Sequence, residues 1–310
     1  MVLGKTTLGR TKLSVTQLGY GALEVRGVLS PDDPKSRMPT EDRAKLILNS
    51  VLDLGINFID TAWCYGRSEE MIGKYISNRR QEYTLAAKTG HGRCGATQYN
   101  SFKRNDMLKC IEESLRNMKT DYVDVLQLHN PTAEDVEECE CIETLKDIQK
   151  KGWTRFIGCS SVIPHLPKHL STNAYDVFQI PYSAFEPEHH DIISESAEAG
   201  IGTIIRGGVA KGEPETKAEI LNRKFSVGGK RWDVFDEAGL DELRSEEESR
   251  TAFLLRFTMS HPNVNTIIVG TQNPLHLEEN VAAASNGPLP NDTYAEAKKR
   301  LAGLGLTHGM

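Results

Sequence analysis

The chain alternates short apolar runs with longer segments in which apolar residues recur every three or four positions. The short runs, such as the one ending at Asp60, are typical of buried strands. The longer segments place Ala44, Ile47, Leu48 and Val51 on one face, which is the pattern of an amphipathic helix. The strand-like runs lie near residues 17, 56, 83, 122, 154, 176, 202 and 265.

Eight strands that alternate with helices, without reversal, predict an α/β fold of the (β/α)8 TIM-barrel type, with residues 1–310 as one domain. An open doubly wound sheet is the alternative, but it normally has fewer strands and an early glycine-rich phosphate turn. Residues 4–16 are expected to form an N-terminal β-hairpin at the barrel floor. Long loops are expected after the strands, at 23–40, 91–100 and 207–245, and a last helix follows residue 286.

Composition and charge narrow the class of protein. With 310 residues and 38% hydrophobic residues the chain has enough apolar side chains for a large core. Its net charge of -6 disfavours a nucleic-acid partner, and no apolar run is long enough to span a bilayer. The six cysteines show neither CxxC pairs nor metal-ligand spacing, so we expect reduced thiols, no metal site and a cytoplasmic location. Both a monomer and a homo-oligomer are compatible with this composition.

Four chemically active residues lie at or just beyond neighbouring strand ends. Asp60, Lys88 and His129 end the second, third and fourth barrel strands, and Tyr65 follows Asp60 by one short turn. Each alone has a structural explanation, such as a helix cap or a packed side chain. Because a (β/α)8 barrel carries its chemistry at the carboxyl ends of its strands, we expect the four side chains to meet.

These residue types suit the reduction of a carbonyl group. The carbonyl oxygen gains negative charge as hydride arrives, so it needs a proton donor. A free tyrosine has a pKa of about 10, and a neighbouring ammonium lowers that value. Lys88 is expected to lower the pKa of Tyr65, Asp60 to hold Lys88, and His129 to orient the carbonyl or relay a proton.

With these four residues in place, the chain resembles the aldo-keto reductases. The resemblance rests on "GINFIDTAWCYGRSEEMIGKYI", "LAAKTG", "DYVDVLQLHN", "RFIGCSS", "VFQIPYS" and "IIVGTQNPLHLEEN", which run in family order from about residue 16 to 285. It implies that Tyr65 is the general acid, with Lys88, Asp60 and His129 completing a catalytic tetrad.

The same resemblance implies a nicotinamide cofactor at the barrel mouth. Ser160, Ser161 and Gln179 match the residues that hold the nicotinamide amide, although the family usually has asparagine at position 161. Arg206 stands where many members stack an aromatic ring. The full set of implied cofactor-binding residues is Gly21, Ala22, Asp60, Ser160, Ser161, Gln179, Arg206, Gly270, Thr271, Gln272, His276, Glu279 and Asn280.

The choice between the two nicotinamide cofactors depends on one phosphate group. Family members that prefer NADPH usually carry a lysine or arginine in the last βα loop, yet residues 257–297 contain neither. A 2′-phosphate would then rely on helix amides near Asn273, on Thr271, on protonated His276, or on cations of the 207–232 loop. Those cations are Lys211, Arg223, Lys224, Lys230 and Arg231. The family preference favours NADP(H), and NAD(H) is the alternative.

The sequence therefore predicts an NAD(P)(H)-dependent oxidoreductase that reduces a small-molecule aldehyde or ketone to an alcohol. One alternative is an NAD-linked sugar or alcohol dehydrogenase that works in the oxidative direction. A second alternative is a cofactor-sensing regulatory subunit with little turnover, as in the channel-associated branch of this superfamily.

Overall fold

The computed structural model describes residues 2–26, 41–90, 101–210 and 233–309. Two short antiparallel strands, β1 (Lys5–Thr7) and β2 (Ser14–Thr16), precede eight parallel strands that follow one another around a closed barrel. The last of these strands pairs with the first, which confirms the predicted TIM barrel and hairpin. The barrel strands are β3 (Leu18–Gly21), β4 (Phe58–Asp60), β5 (Thr84–Thr89), β6 (Val123–His129), β7 (Thr154–Ser160), β8 (Val177–Pro181), β9 (Gly202–Arg206) and β10 (Thr266–Val269).

Helices cover the outside of the barrel. The predicted apolar face of the first helix is buried, including Ala44, Ile47 and Val51, because that face packs on the strands. The helices are α1 (Glu41–Asp53), α2 (Ser68–Tyr75), α3 (Arg104–Met118), α4 (Ala133–Glu138), α5 (Cys141–Lys150), α6 (His165–Ser171), α7 (His190–Glu198), α8 (Val234–Glu237), α9 (Arg250–Met259), α10 (Pro274–Ser285) and α11 (Asn291–Gly303).

The loop predictions hold only in part. Of the segment 23–40, residues 23–26 are described, and Ala22–Val25 forms a 3-10 helix. The described part of 207–245 contains α8 and a 3-10 helix at Leu240–Leu243, so this segment is not one continuous loop. The predicted loop 91–100 lies outside the described residues.

The N-terminal hairpin closes the floor of the barrel, as predicted. Leu8 and Val15 are fully buried, and they pack with inward-facing strand residues that include Phe58 and Val177. The approach of the two backbones is close, because a Cβ atom on Gly9 would lie 2.2 Å from the amide nitrogen of Gly202. Because the hairpin fills one end of the barrel, the polar residues lie at the opposite end, where the strands end.

A second apolar cluster lies where the C-terminal helix meets α9. Phe253 and Phe257 of α9 belong to the same cluster as Leu301 of α11 and Leu306 beyond it, and each of these side chains is buried. Among the described residues, none of the helices has the length and apolarity needed to cross a membrane.

Candidate active site

The parallel register brings the predicted residues to one mouth of the barrel. Asp60 and His129 are the last residues of β4 and β6, and Lys88 is the penultimate residue of β5. The neighbouring strand pairs Lys88 with Gln127 and His129 with Ser160. Because all these strands run in the same direction, their ends share one rim.

Asp60 and Lys88 form an ion pair inside the barrel. The Lys88 ammonium donates hydrogen bonds to Asp60 Oδ1 and, at 3.1 Å, to the Thr61 carbonyl oxygen. Burial lowers the pKa of Lys88, but the charges of Asp60 and Tyr65 raise it more, so the pKa lies above its usual value. Lys88 therefore stays protonated although it is enclosed, because its partner offsets the cost of burying the charge.

Two glutamine amides donate hydrogen bonds to the second carboxylate oxygen of Asp60. Gln127 Nε2 and Gln179 Nε2 donate to Asp60 Oδ2 at 3.0 and 2.8 Å. Gln127 was missed by sequence reasoning, although its position two residues before His129 on the same strand places both side chains on the inward face. Asp60 thus accepts from one ammonium and two amides, which satisfies a buried carboxylate.

The Tyr65 ring lies against both Lys88 and His129. The Lys88 ammonium is 5.2 Å from the centre of the ring, and the ring meets the imidazole of His129 edge to face with 5.7 Å between centroids. Burial raises the pKa of Tyr65, whereas the Lys88 charge lowers it. The net pKa lies above the usual value, because burial outweighs the lowering by Lys88, which acts in the expected direction.

His129 has a second neighbour that sequence reasoning did not connect with it. The Cys64 thiol lies 3.3 Å from His129 Nδ1, and the two side chains are 1% and 8% exposed. The turn that carries Cys64 and Tyr65 is fixed by a backbone hydrogen bond of 2.9 Å from the Tyr65 amide to the Ala62 carbonyl.

Polar residues predicted to hold the nicotinamide amide lie beside the ion pair. Ser160 and Gln179 are paired on β7 and β8, and Ser160 Oγ donates to Gln179 Oε1 at 3.3 Å. The Ser161 amide donates to the Gln179 carbonyl at 3.1 Å, and all three residues are 1% exposed. A carboxamide offers both donors and acceptors, and hydroxyl and glutamine groups complement both, so this donor set fits a nicotinamide.

The rim of the barrel also carries a guanidinium group, and at one place the backbones of two strand ends lie close together. Arg206 ends β9, and burial lowers the pKa of its guanidinium while the Tyr65 and Glu186 charges raise it. Across the rim, a Cβ atom on Gly270 would lie 2.8 Å from the Gly21 carbonyl oxygen. Ala22 accepts a hydrogen bond from Ser68 Oγ at 2.7 Å, which ties this edge to α2.

The remaining predicted cofactor residues surround the start of α10. Thr271 Oγ1 accepts from the Asn273 amide, and Asn273 Oδ1 caps the helix by accepting from the Leu275 amide, both at 3.1 Å. Gln272 is half-buried, His276 and Glu279 are exposed, and Asn280 is buried. The predicted cations Lys211, Arg223, Lys224, Lys230 and Arg231 lie outside the described residues.

Comparisons with known proteins identify the family. The model of the Aldo/keto reductase family matches residues 18–301, so the chain belongs to this family and is an NAD(P)H-dependent oxidoreductase. It is 28% identical to the uncharacterized oxidoreductase YqkF of Bacillus subtilis (strain 168), with 91% of each chain covered. It is 27% identical to L-galactose dehydrogenase of Arabidopsis thaliana, over 90% of this chain and 87% of that one. The holo form of aldo-keto reductase AKR11C1 from Bacillus halodurans superimposes with a TM-score of 0.81 at 26% identity, covering 96% of each chain.

Proposed function

We propose that this oxidoreductase reduces an aldehyde or ketone of a small molecule to an alcohol, with Tyr65 as the general acid. The observation that carries the proposal is the arrangement of Tyr65 against the buried Lys88–Asp60 pair and His129 at one barrel mouth. When bound, the reduced nicotinamide supplies the hydride. The residues of the chain then have to orient the carbonyl and deliver one proton to its oxygen.

Each side chain has a defined part in the proton transfer. The Tyr65 phenol donates its proton to the developing alkoxide, and the Lys88 ammonium stabilises the phenolate that remains. Asp60 holds Lys88 in place, and the amides of Gln127 and Gln179 hold Asp60. His129 donates a hydrogen bond to the carbonyl oxygen and so orients it before the proton moves.

The protonation state of Tyr65 is one observation that supports the reductive direction in this proposal. Burial holds the pKa of Tyr65 above its usual value, so the phenol carries its proton at neutral pH. A protonated tyrosine is ready to donate, whereas oxidation of an alcohol needs the phenolate as a base.

The proposed cofactor-binding residues are those of the β7, β8 and β9 ends together with the β10–α10 segment. Ser160, Ser161 and Gln179 would hold the carboxamide, and Arg206 would lie against the nicotinamide ring. The start of α10 would lie beside a cofactor phosphate, since a helix N-terminus favours negative charge. We retain NADP(H) as the proposed cofactor, because the family prefers it.

The oxidative alternative is supported by the similarity to L-galactose dehydrogenase and by the absence of lysine and arginine from residues 257–297. An enzyme without a phosphate-binding cation in this segment is suited to NAD(H). This alternative uses the same tetrad, with the hydroxyl proton of the alcohol moving to the Tyr65 phenolate and the hydride supplied to an oxidised nicotinamide.

A fluorescence titration with NADPH and NADH, followed by turnover assays over a panel of aldehydes, ketones and sugars, tests the proposal. We expect NADPH to bind at least tenfold tighter, a difference of about 1.4 kcal/mol, and carbonyls to be reduced. Equal binding or a preference for NADH, with faster alcohol oxidation, would favour the dehydrogenase. Tight cofactor binding without turnover of any compound would contradict both and favour a cofactor sensor.

A further inference from the structure

The Cys64 thiol lies against the imidazole of His129, and backbone hydrogen bonds fix the segment that carries Cys64. Beyond β4 the chain stays attached to β5, because the Thr61 amide donates to the Ala86 carbonyl at 2.8 Å. Cys64 lies within the turn from Ala62 to Tyr65 and is 1% exposed. Backbone hydrogen bonds therefore fix the main chain of Cys64, and its thiol lies 3.3 Å from His129 Nδ1.

The direction of this hydrogen bond and the tautomer of His129 are linked. A neutral imidazole has one donor nitrogen and one acceptor nitrogen, and a hydrogen bond at one fixes the role of the other. A thiol S–H at Nδ1 makes Nδ1 the acceptor and leaves the proton on Nε2. A backbone carbonyl at the same place, which only accepts, would select the opposite tautomer.

We propose that Cys64 is a positioning residue that donates its S–H to His129 Nδ1 and so holds the imidazole in the Nε2–H tautomer. The inference rests on the proposed function, because a carbonyl oxygen only accepts hydrogen bonds and therefore needs a donor on His129. Cys64 does not itself touch the substrate in this account. It acts through the orientation and the tautomer of the ring.

The spectroscopic test needs no substrate. Long-range proton–nitrogen correlation spectra of the wild-type protein, assigned with a His129→Gln variant, report which nitrogen of His129 is protonated. We expect Nε2 to have the shift of a protonated nitrogen and Nδ1 that of an unprotonated nitrogen at neutral pH. A protonated Nδ1 with an unprotonated Nε2 would overturn the proposal, because the sulfur would then be the acceptor.

The kinetic test compares matched cysteine variants. Cys64→Ala is expected to lower kcat/KM for carbonyl reduction about fivefold to tenfold, the range for a neutral hydrogen bond of about 1 kcal/mol. Its nicotinamide Kd should stay unchanged, and Cys64→Ser, which restores an O–H donor, should recover part of the loss. The control is Cys141→Ala, since Cys141 is equally buried but its thiol contacts the Asp135 carbonyl at 3.4 Å and the Phe102 carbonyl at 3.8 Å.

The outcomes separate this proposal from the proposed function. If Tyr65→Phe abolishes turnover and Cys64→Ala matches Cys141→Ala, the role of Cys64 is wrong and the general acid stands. If Tyr65→Phe retains full turnover, the proposed function fails whatever the cysteine variants do. If Cys64→Ala does not fold, the wild-type spectrum and Cys64→Ser still decide the question.

Discussion

The ammonium of Lys88 donates a hydrogen bond to the carboxylate of Asp60 with both side chains almost completely enclosed, at 0% and 2% exposure. An unpaired charge in such a place would be strongly unfavourable. The pair persists because Thr61 supplies a carbonyl to the ammonium, and two glutamines supply amides to the carboxylate. The arrangement places a permanent positive charge beside the Tyr65 ring.

Removing the ammonium should affect both stability and rate. Lys88→Met leaves Asp60 as a buried charge without its cation, and breaking such a pair costs about 3–5 kcal/mol. We expect the free energy of unfolding in urea to fall by that amount and kcat to fall at least a hundredfold, since general acid catalysis contributes about that much. Lys299→Met is the control, because Lys299 is 80% exposed in an i,i+3 pair with Glu296 and should change little.

Gln127 should also contribute measurably to stability, although less than Lys88. Gln127→Leu removes an amide from Asp60 Oδ2 and is expected to cost about 1–3 kcal/mol of stability. Gln127→Glu keeps the shape but places a second carboxylate against Asp60, and it should cost more. Gln149→Leu, which loses only an exposed bond to the Arg155 carbonyl, serves as the control. Equal urea midpoints for the position 127 and 149 variants would contradict the role of Gln127.

Acidification should destabilise the C-terminal part of the barrel. Burial lowers the pKa of both His261 and His308 to about 4, and both rings pack edge to face against Tyr182. The unfolded chain binds these protons near pH 6.5, so it carries more protons than the folded protein between about pH 4 and 6.5. Stability is therefore complete above pH 6.5 and is lost as the pH falls towards 4.

Urea midpoints measured across that range check the pH prediction. We expect His308→Gln to flatten the pH dependence, because one of the two neutral rings is then absent. A pH dependence equal to that of the wild type would show that His308 does not contribute. Control measurements with Lys299→Met should keep the wild-type slope.

The pH dependence of turnover should differ between the two reaction directions. Burial raises the pKa of Tyr65, so reduction, which needs the phenol, should stay constant through neutral pH and decline only at alkaline pH. Oxidation of the alcohol needs the phenolate and should rise with pH over the same range. Steady-state profiles in both directions test this. A reduction rate that falls steadily through neutral pH would contradict the assignment of Tyr65 as the acid.

The strand ends could be predicted from the sequence because apolar periodicity fixes which residues end each strand. Asp60, Lys88 and His129 follow apolar runs, and the barrel topology then brings them together. Apolar periodicity does not predict which side chains from distant parts of the chain contact one another. The amide of Gln179 reaches Asp60 across 119 positions, and the Cys64 thiol reaches His129 across 65.

The pKa of Tyr65 is a second property that the sequence does not predict. The sequence identifies the neighbouring ammonium, which lowers the pKa, but the opposing effect of burial depends on how tightly the ring is enclosed. Burial is the larger effect here, so the net direction is the reverse of the expectation. The assignment of residues 1–310 to one domain stays a prediction.

The central claim is that the Tyr65 phenol supplies the proton for carbonyl reduction. The most direct test is single-turnover reduction of a carbonyl by wild type and Tyr65→Phe, each saturated with reduced cofactor, with the cofactor Kd measured separately. The account predicts an unchanged Kd and a rate lowered at least a hundredfold, because the ring remains and only the hydroxyl is lost. An equal rate in Tyr65→Phe with the same Kd would contradict it.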